Sequence, residues 1–341
     1  MKVLGILTAG GDCPGLNAVI RAVVSRATIT HGVEVVGILN GWEGLMDGDV
    51  VPLDRDAVRG ILQRGGTILG SSRKDPYVHG NGYASIATTV RNNGLDGVIV
   101  VGGDGTLATA LRLSEDGLNV VGVPKTIDND INATDTTFGF NTAVEIATEA
   151  IDRITTTAEA HHRIMLVEVM GRTRGWIATY AGIAAGADAI LIPEIPCDLE
   201  QCADIIRARH RRGHKYSVVV VAEGVQPPAP CAMPQQVDAF GFERLGGVSY
   251  QIAPVLEDMT GFESRVTVLG HIQRGGTPSA YDRVLGTRLG VGAADLAAEE
   301  RWGTMVALRG RHIGAVSLEV ACESTRGVDE ALYDTAQVFF G

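Results

Sequence analysis

Asp104, Asp128 and Asp130 fall in two short turns, each following an apolar run. The first turn is Gly102-Gly103-Asp104-Gly105-Thr106, after Val98-Ile99-Val100-Val101. The second is Pro124-Lys125-Thr126-Ile127-Asp128-Asn129-Asp130, after Val120-Val121-Gly122-Val123. Glycine lets backbone N–H groups approach an anion closely, and a helix starting after Thr106 adds partial positive charge, so the first turn suits a phosphate. Asp104, with Asp128 and Asp130, supplies hard oxygen for Mg2+. In an extended segment Asp128 and Asp130 point to the same side, where one can take a hydroxyl proton while the other holds metal or charge. Asp128-Asn129-Asp130 also reads as a plain turn, and a glycine-rich strand-to-helix connection as a tight turn only.

Cations gather in similar places. Gly65-Gly66-Thr67-Ile68-Leu69-Gly70-Ser71-Ser72-Arg73 and Gly270-His271-Ile272-Gln273-Arg274-Gly275-Gly276-Thr277 are charged glycine loops, and Arg163, Arg172 and Arg265 border apolar runs. Glycines, arginines, Lys125, His271 and three aspartates form a phosphoryl-transfer inventory. That reaction needs held phosphates, a bridging metal, cations on the equatorial charge and a carboxylate by the attacking hydroxyl. Gly10-Gly11-Asp12-Cys13-Pro14-Gly15 looks like a nucleotide loop but matches neither G-x-G-x-x-G nor G-x-x-x-x-G-K-[ST].

Such residues need strands and helices to present them. Strands are expected at Val3 to Thr8, Glu34 to Leu39, Ile164 to Val169, Ala189 to Ile192, Ser217 to Ala222 and Val266 to Leu269, besides the two runs above. Leu16, Val19, Ile20, Val23, Val24 and Ala27 have helical spacing; further helices are expected from Thr106 to Ser114, Asn141 towards Thr157 (linking two lobes), Trp176 to Gly186 and Leu199 to Arg211. The alternation predicts an α/β fold of two similar lobes, each a mostly parallel, Rossmann-like sheet flanked by helices, with the loops at the strands' carboxyl ends.

Composition narrows the function. A formal charge of −11 argues against a general nucleic-acid binder, since backbone affinity needs clustered cations. The sequence shows neither an apolar run of membrane-spanning length nor a secretory leader, so a cytoplasmic protein with no membrane association is expected. Five scattered cysteines without a C-x-x-C pair suit reduced thiols. Cys13 has no base beside it in sequence and reads as a small filler. Gln226-Pro227-Pro228-Ala229-Pro230 reads as a local loop. A nicotinamide-dependent oxidoreductase and a non-catalytic sugar-phosphate sensor remain open on fold grounds. The first lacks the dinucleotide fingerprint, and the second would need none of Asp104, Asp128 and Arg172 together.

The chain resembles the 6-phosphofructokinases from Met1 to Phe339-Phe340-Gly341. GGDCPGLNAVIR at Gly10 to Arg21, GGTILGSSR, GGDGT, PKTIDND, VEVMGR, AEG at Ala222 to Gly224 and GHIQRGG occur in family order and spacing. GGDGT alone is shared with NAD kinases and lipid kinases. The resemblance implies that Gly11, Arg73, Gly103, Asp104, Gly105, Thr106 and Lys125 hold the phosphoryl donor, with Asp104 reaching Mg2+. It implies that Asp128 is the base on the 1-hydroxyl of fructose 6-phosphate, that Thr126 and Asp130 support the reacting groups, and that Arg172 stabilises the transferring phosphoryl. Met170, Gly171, Glu223, His271 and Arg274 would contact the sugar phosphate, and Arg163 and Arg265 would reach it from a neighbouring subunit, in a homo-oligomer that is usually a tetramer. The lobes are expected as 1–139 plus about 252–303 for the donor and 140–251 plus about 304–341 for the sugar phosphate.

Two positions bear on the donor. Gly105 is similar to ATP-using members, whereas pyrophosphate-using members carry Asp there, where a carboxylate would crowd and repel a nucleotide phosphate. Lys125 is similar to the pyrophosphate type, but a flexible cation can turn aside. ATP is therefore expected, with pyrophosphate as the alternative. Thr173-Arg174 and Ala160 depart from close relatives. Arg21 and Arg212 match the family's effector-site cations, whereas Ser25, Thr155 and His214 stand where that pattern has Arg or Lys, so the effector pattern is incomplete.

Overall fold

The computed structural model describes residues 1–78, 81–228 and 245–341. In chain order the elements are β1 (Val3–Thr8), α1 (Leu16–Arg26) with a π-turn (Ala27–His31), β2 (Glu34–Ile38), α2 (Trp42–Asp47), β3 (Val50–Leu53), α3 (Gly82–Asn92), β4 (Gly97–Gly102), α4 (Asp104–Glu115), β5 (Val120–Thr126), β6 (Phe138–Gly139) and α5 (Phe140–His161). They continue with β7 (Ile164–Val169), α6 (Trp176–Ala184), β8 (Ala189–Leu191), α7 (Leu199–Arg211), β9 (Ser217–Ala222), α8 (Val248–Thr260), β10 (Ser264–Val268), a 3₁₀ turn (Gly270–Arg274), α9 (Ala280–Ala298), β11 (Thr304–Arg309), β12 (His312–Ser317), α10 (Leu318–Cys322) and α11 (Glu330–Gln337).

The chain forms two compact units, Met1–Thr142 with Arg274–Thr325, and Ala143–Gln273 with Arg326–Gly341. In the first, the sheet order is β12-β11-β5-β4-β1-β2-β3, with β6 paired to β5. Its inner strands are parallel and fully buried, as Val, Ile and Gly runs covered by helices on both faces must be. The order reverses between β1 and β4, so the loops after these neighbouring strands flank a switch point, where open α/β sheets bind ligands. In the second unit the order is β10-β7-β9-β8, all parallel. The carboxyl ends of β10, β7 and β9 lie side by side.

The expected fold class holds, and the expected segment boundaries shift. Residues 252–273 belong to the second unit because β10 pairs with β7, and residues 304–325 belong to the first because β11 pairs with β5. The GHIQRGG segment is not open loop from its start, since Gly270–Arg274 is a 3₁₀ turn. Helix α4 begins at Asp104 rather than after Thr106. Helix α9 packs against α1 through glycine: a Cβ at Gly290 would stand 2.7 Å from the Val19 carbonyl oxygen, and one at Gly286 would stand 3.2 Å from that of Gly15. Ala229, Pro230 and Cys231 lie outside the described residues. Among the described residues, no helix is long and apolar enough to cross a membrane.

Candidate active site

In the first unit four loops meet above β1, β4 and β5. Gly103 caps α4 without a side-chain bond, which leaves first-turn N–H groups for an anion. Asp104 and Gly105 are exposed and Thr106 is buried. Thr106 packs back on the first loop, since a Cβ on Gly10 would lie 3.3 Å from its Oγ1 and 3.5 Å from Lys125 Nζ. Nothing lies within 4 Å of where a Cβ on Gly105 would point. The space in front of α4 is thus open at the position expected to discriminate between donors.

Lys125 is not the mobile cation expected. It sits on the buried strand β5, 3 % exposed, with Nζ donating to the Gly11 carbonyl oxygen. Burial pushes its pKa below the ordinary lysine value, with Arg274 adding to the effect. Arg274, expected at the sugar phosphate, lies over the same loop in this unit: its Nη1 donates to the Asp12 carbonyl oxygen at 3.2 Å. The Gly10–Asp12 turn is therefore clasped by two cations. The Gly65–Arg73 loop joins it through Gly10, whose N–H donates to the Ser72 carbonyl oxygen at 3.0 Å and whose own carbonyl oxygen accepts from Ser71 Oγ at 2.5 Å. Arg73 at its end is exposed. Buried Asn17 orders that loop, with Nδ2 donating to the Arg64 carbonyl oxygen at 3.0 Å and Oδ1 accepting from Ile68 N–H at 2.9 Å. Cys13 is a buried filler against β6, with Sγ 3.7 Å from the Phe138 carbonyl oxygen and its pKa raised by burial.

The Thr126–Asp130 turn is buried throughout. It does not follow the extended geometry expected, because the strand ends at Thr126 and Asn129 takes φ 54°. Asn129 Oδ1 accepts from Thr137 N–H at 3.1 Å, and Thr137 Oγ1 donates to the Thr126 carbonyl oxygen at 2.7 Å, which bends the segment back on itself. Thr126 Oγ1 accepts from Asp128 N–H at 3.0 Å, so it fixes the backbone that carries Asp128. Asp128 and Asp130, each 4 % exposed, owe their placement to this turn rather than to strand alternation.

The remaining expected site residues fall mostly in the second unit. Met170 follows β7, and its N–H lies 3.4 Å from Oε1 of Gln273, which is fully buried. Gly171 has φ 142° and Arg172 φ 52°, a left-handed conformation that costs a non-glycine residue energy. Glu223, after β9, holds it: its Oε1 accepts from Gly171 N–H at 3.3 Å and Arg172 N–H at 3.0 Å. Gly224 must lack a Cβ because one there would overlap the Arg172 carbonyl oxygen. His271 is exposed after β10. Arg163 and Arg265 lie at the opposite, amino ends of β7 and β10, both bonded to Glu263. Arg163, and Arg265 beyond it, hold the Glu263 carboxyl below the usual range.

Sequence reasoning passed over Asn17, Glu168, Gly224 and Gln273, which shape the loops. Asn17, Glu168 and Gln273 are polar and fully or almost fully buried within the quoted motifs; a polar residue among apolar strand and helix positions was the available signal.

The chain as a whole is similar to known proteins. The family model described as Phosphofructokinase matches residues 3–297, and the chain belongs to this family. A pyrophosphate–fructose 6-phosphate 1-phosphotransferase of Amycolatopsis methanolica is 53 % identical over 340 residues, 99 % of each chain. ATP-dependent 6-phosphofructokinase 3 of Streptomyces coelicolor is 51 % identical over 336 residues, 98 % of each. Among solved structures, Pichia pastoris phosphofructokinase superposes with a TM-score of 0.83 at 32 % identity, covering 99 % of this chain and 36 % of that longer one.

Proposed function

We propose that the chain is an ATP-dependent 6-phosphofructokinase, transferring the γ-phosphoryl of ATP to the 1-hydroxyl of fructose 6-phosphate. The observation that carries the choice of donor is Gly105, exposed in the first turn of α4 with open space where a side chain would project. A carboxylate there would meet a nucleotide's phosphates; glycine leaves them room. Lys125 is compatible with this donor, because an ammonium 3 % exposed and bonded to Gly11 acts on the phosphates through the loop it shapes.

In this reading Gly11, Gly103, Gly105 and Thr106 cradle the donor phosphates, aided by the α4 N-terminus, Arg73 and Lys125. Asp128 takes the proton of the 1-hydroxyl, with Thr126 and Asp130 keeping the turn and the local charge in place. Arg172 sits on the transferring phosphoryl, and Met170, Gly171, Glu223, His271 and Arg274 orient the sugar phosphate. Among the described residues no group of three or more His, Cys, Asp or Glu could cage an ion; exposed Asp104 suits Mg2+ that arrives with phosphates and is held by few carboxylates. Bound there, Mg2+ would neutralise donor charge.

Arg163 and Arg265 serve a site in a neighbouring subunit, in a homotetramer acting in the cytoplasm. The six residues of β7 put about 20 Å between their end of the strand and the Met170–Arg172 turn, at about 3.3 Å per residue. That exceeds the reach of an arginine side chain.

A coupled assay of the purified protein with fructose 6-phosphate, Mg2+ and either donor tests the reading. Turnover with ATP is expected; turnover with pyrophosphate and none with ATP would transfer the assignment to a pyrophosphate-dependent phosphotransferase. The specific observation favouring that second reading is Lys125 itself, a cation within the donor loops, together with the name of the relative at 53 % identity.

A further inference from the structure

Arg163 and Arg265 are tied by one carboxylate. Glu263 Oε2 accepts from Arg163 Nε at 2.8 Å, and Oε1 accepts from Arg265 Nη2. Arg265 Nη1 also donates to the Ser264 carbonyl oxygen at 2.7 Å. The backbone is fixed as well, with Ile164 N–H donating to the Glu263 carbonyl oxygen at 3.0 Å and Ser217 N–H to that of Arg163 at 3.1 Å. The two terminal nitrogens of Arg163 make no hydrogen bond among the described residues. All three side chains remain partly exposed, at 27 %, 45 % and 50 % for Arg163, Glu263 and Arg265.

We propose that Glu263 is a positioning residue for the sugar phosphate: it locks Arg163 and Arg265 into one fork whose remaining N–H groups receive the phosphate monoester. This rests on the phosphofructokinase reading with sites shared between subunits. Two effects of Glu263 oppose each other. Its charge weakens the field of the arginines, and it holds two long side chains that would otherwise repel each other and lose rotamer freedom on binding. At partly exposed positions salt screens the first effect, whereas side-chain ordering is unscreened and falls on binding if it is not met beforehand. The pre-ordered fork therefore wins.

Glu263→Gln tests this, because the amide keeps one acceptor and turns N–H groups towards the second guanidinium. With the active donor saturating, KM for fructose 6-phosphate should rise about 2- to 12-fold, the cost of ordering the one arginine side chain that loses its acceptor. Meanwhile kcat should stay within about twofold, with the donor KM and sedimentation coefficient unchanged. Glu263→Asp, charged but one methylene shorter, should recover part of the loss. Arg163→Ala and Arg265→Ala are the controls. If they raise KM and Glu263→Gln leaves it unchanged or lower, the inference is overturned while the reading of the arginines stands. If neither control raises KM, that reading fails and the inference goes with it. Dissociation of the Glu263→Gln oligomer would assign Glu263 to assembly and also overturn the proposal.

Discussion

Gly105 and Lys125 show how one residue's surroundings decide what it can do. Gly105 faces open space and has no positive φ, so aspartate there should fold without strain and place its carboxylate where a nucleotide would lie. Gly105→Asp is expected to lower kcat/KM for ATP by about two orders of magnitude or more, the equivalent of about 3 kcal/mol of transition-state stabilisation, with an unchanged circular-dichroism spectrum. A change in kcat/KM of less than threefold would refute the proposed crowding. Lys125 shows the converse. Its chemistry is that of a phosphate ligand, but burial and the Gly11 carbonyl turn it towards holding a loop. Arg172 is placed similarly, by Glu223 through two N–H groups and by the space that Gly224 leaves.

At the scale of elements, Glu168 joins the carboxyl end of β7 to a helix. It is 1 % exposed, with Oε1 accepting from Gly247 N–H at 2.6 Å and Oε2 from Ser249 N–H at 2.8 Å at the start of α8. Charge-assisted bonds of this kind suit a helix N-terminus. Glu168→Ala leaves both N–H groups without their acceptor and should destabilise by about 2–4 kcal/mol, read as a lower urea midpoint and faster hydrogen exchange at Gly247 and Ser249. Such links are hard to see in a sequence because their partners lie 79 and 81 residues apart. The strands β1, β2, β4, β5, β7 and β9 were legible because buried parallel strands are nearly continuous runs of Val, Ile and Leu. The loops that follow β1, β4 and β5 and the Met170–Arg172 turn were legible as loops at strand ends with them. Helix α9 was not, since its buried face is built largely of Gly and Ala while Tyr281 and Val284 are exposed on the other, which blurs the apolar period. Nor was α8, which carries Pro254 internally. The geometry of Asp128 and Asp130 stayed hidden because it depends on the left-handed Asn129 and on Thr137 eight residues on.

For the whole molecule, the opposed placement of Arg163 and the Met170–Arg172 turn in the second unit gives the shared-site reading a direct test. Asp128→Ala and Arg163→Ala homo-oligomers should each be nearly inactive at limiting fructose 6-phosphate, the first by about 10²- to 10⁴-fold in kcat. Mixed, dissociated and reassembled, they should regain a fraction of wild-type activity, because some sites then draw Asp128 and Arg163 from intact copies. Mixtures no more active than their parents would place all catalytic groups within one chain.

The placement of β11 beside β5 also bears on biosynthesis. The second unit's sheet needs only β7 to β10, all present once the ribosome has passed Val268, whereas the first unit's sheet needs β11 and β12, which end at Ser317. Domains tend to fold as their chains emerge, N-terminal parts first. Here the order is partly inverted: β5, the strand leading into the Thr126–Asp130 turn, waits with one side unpaired beyond β6 while the sheet of the later unit already has all its strands. Nascent chains halted between those points are where a chaperone would find exposed sheet.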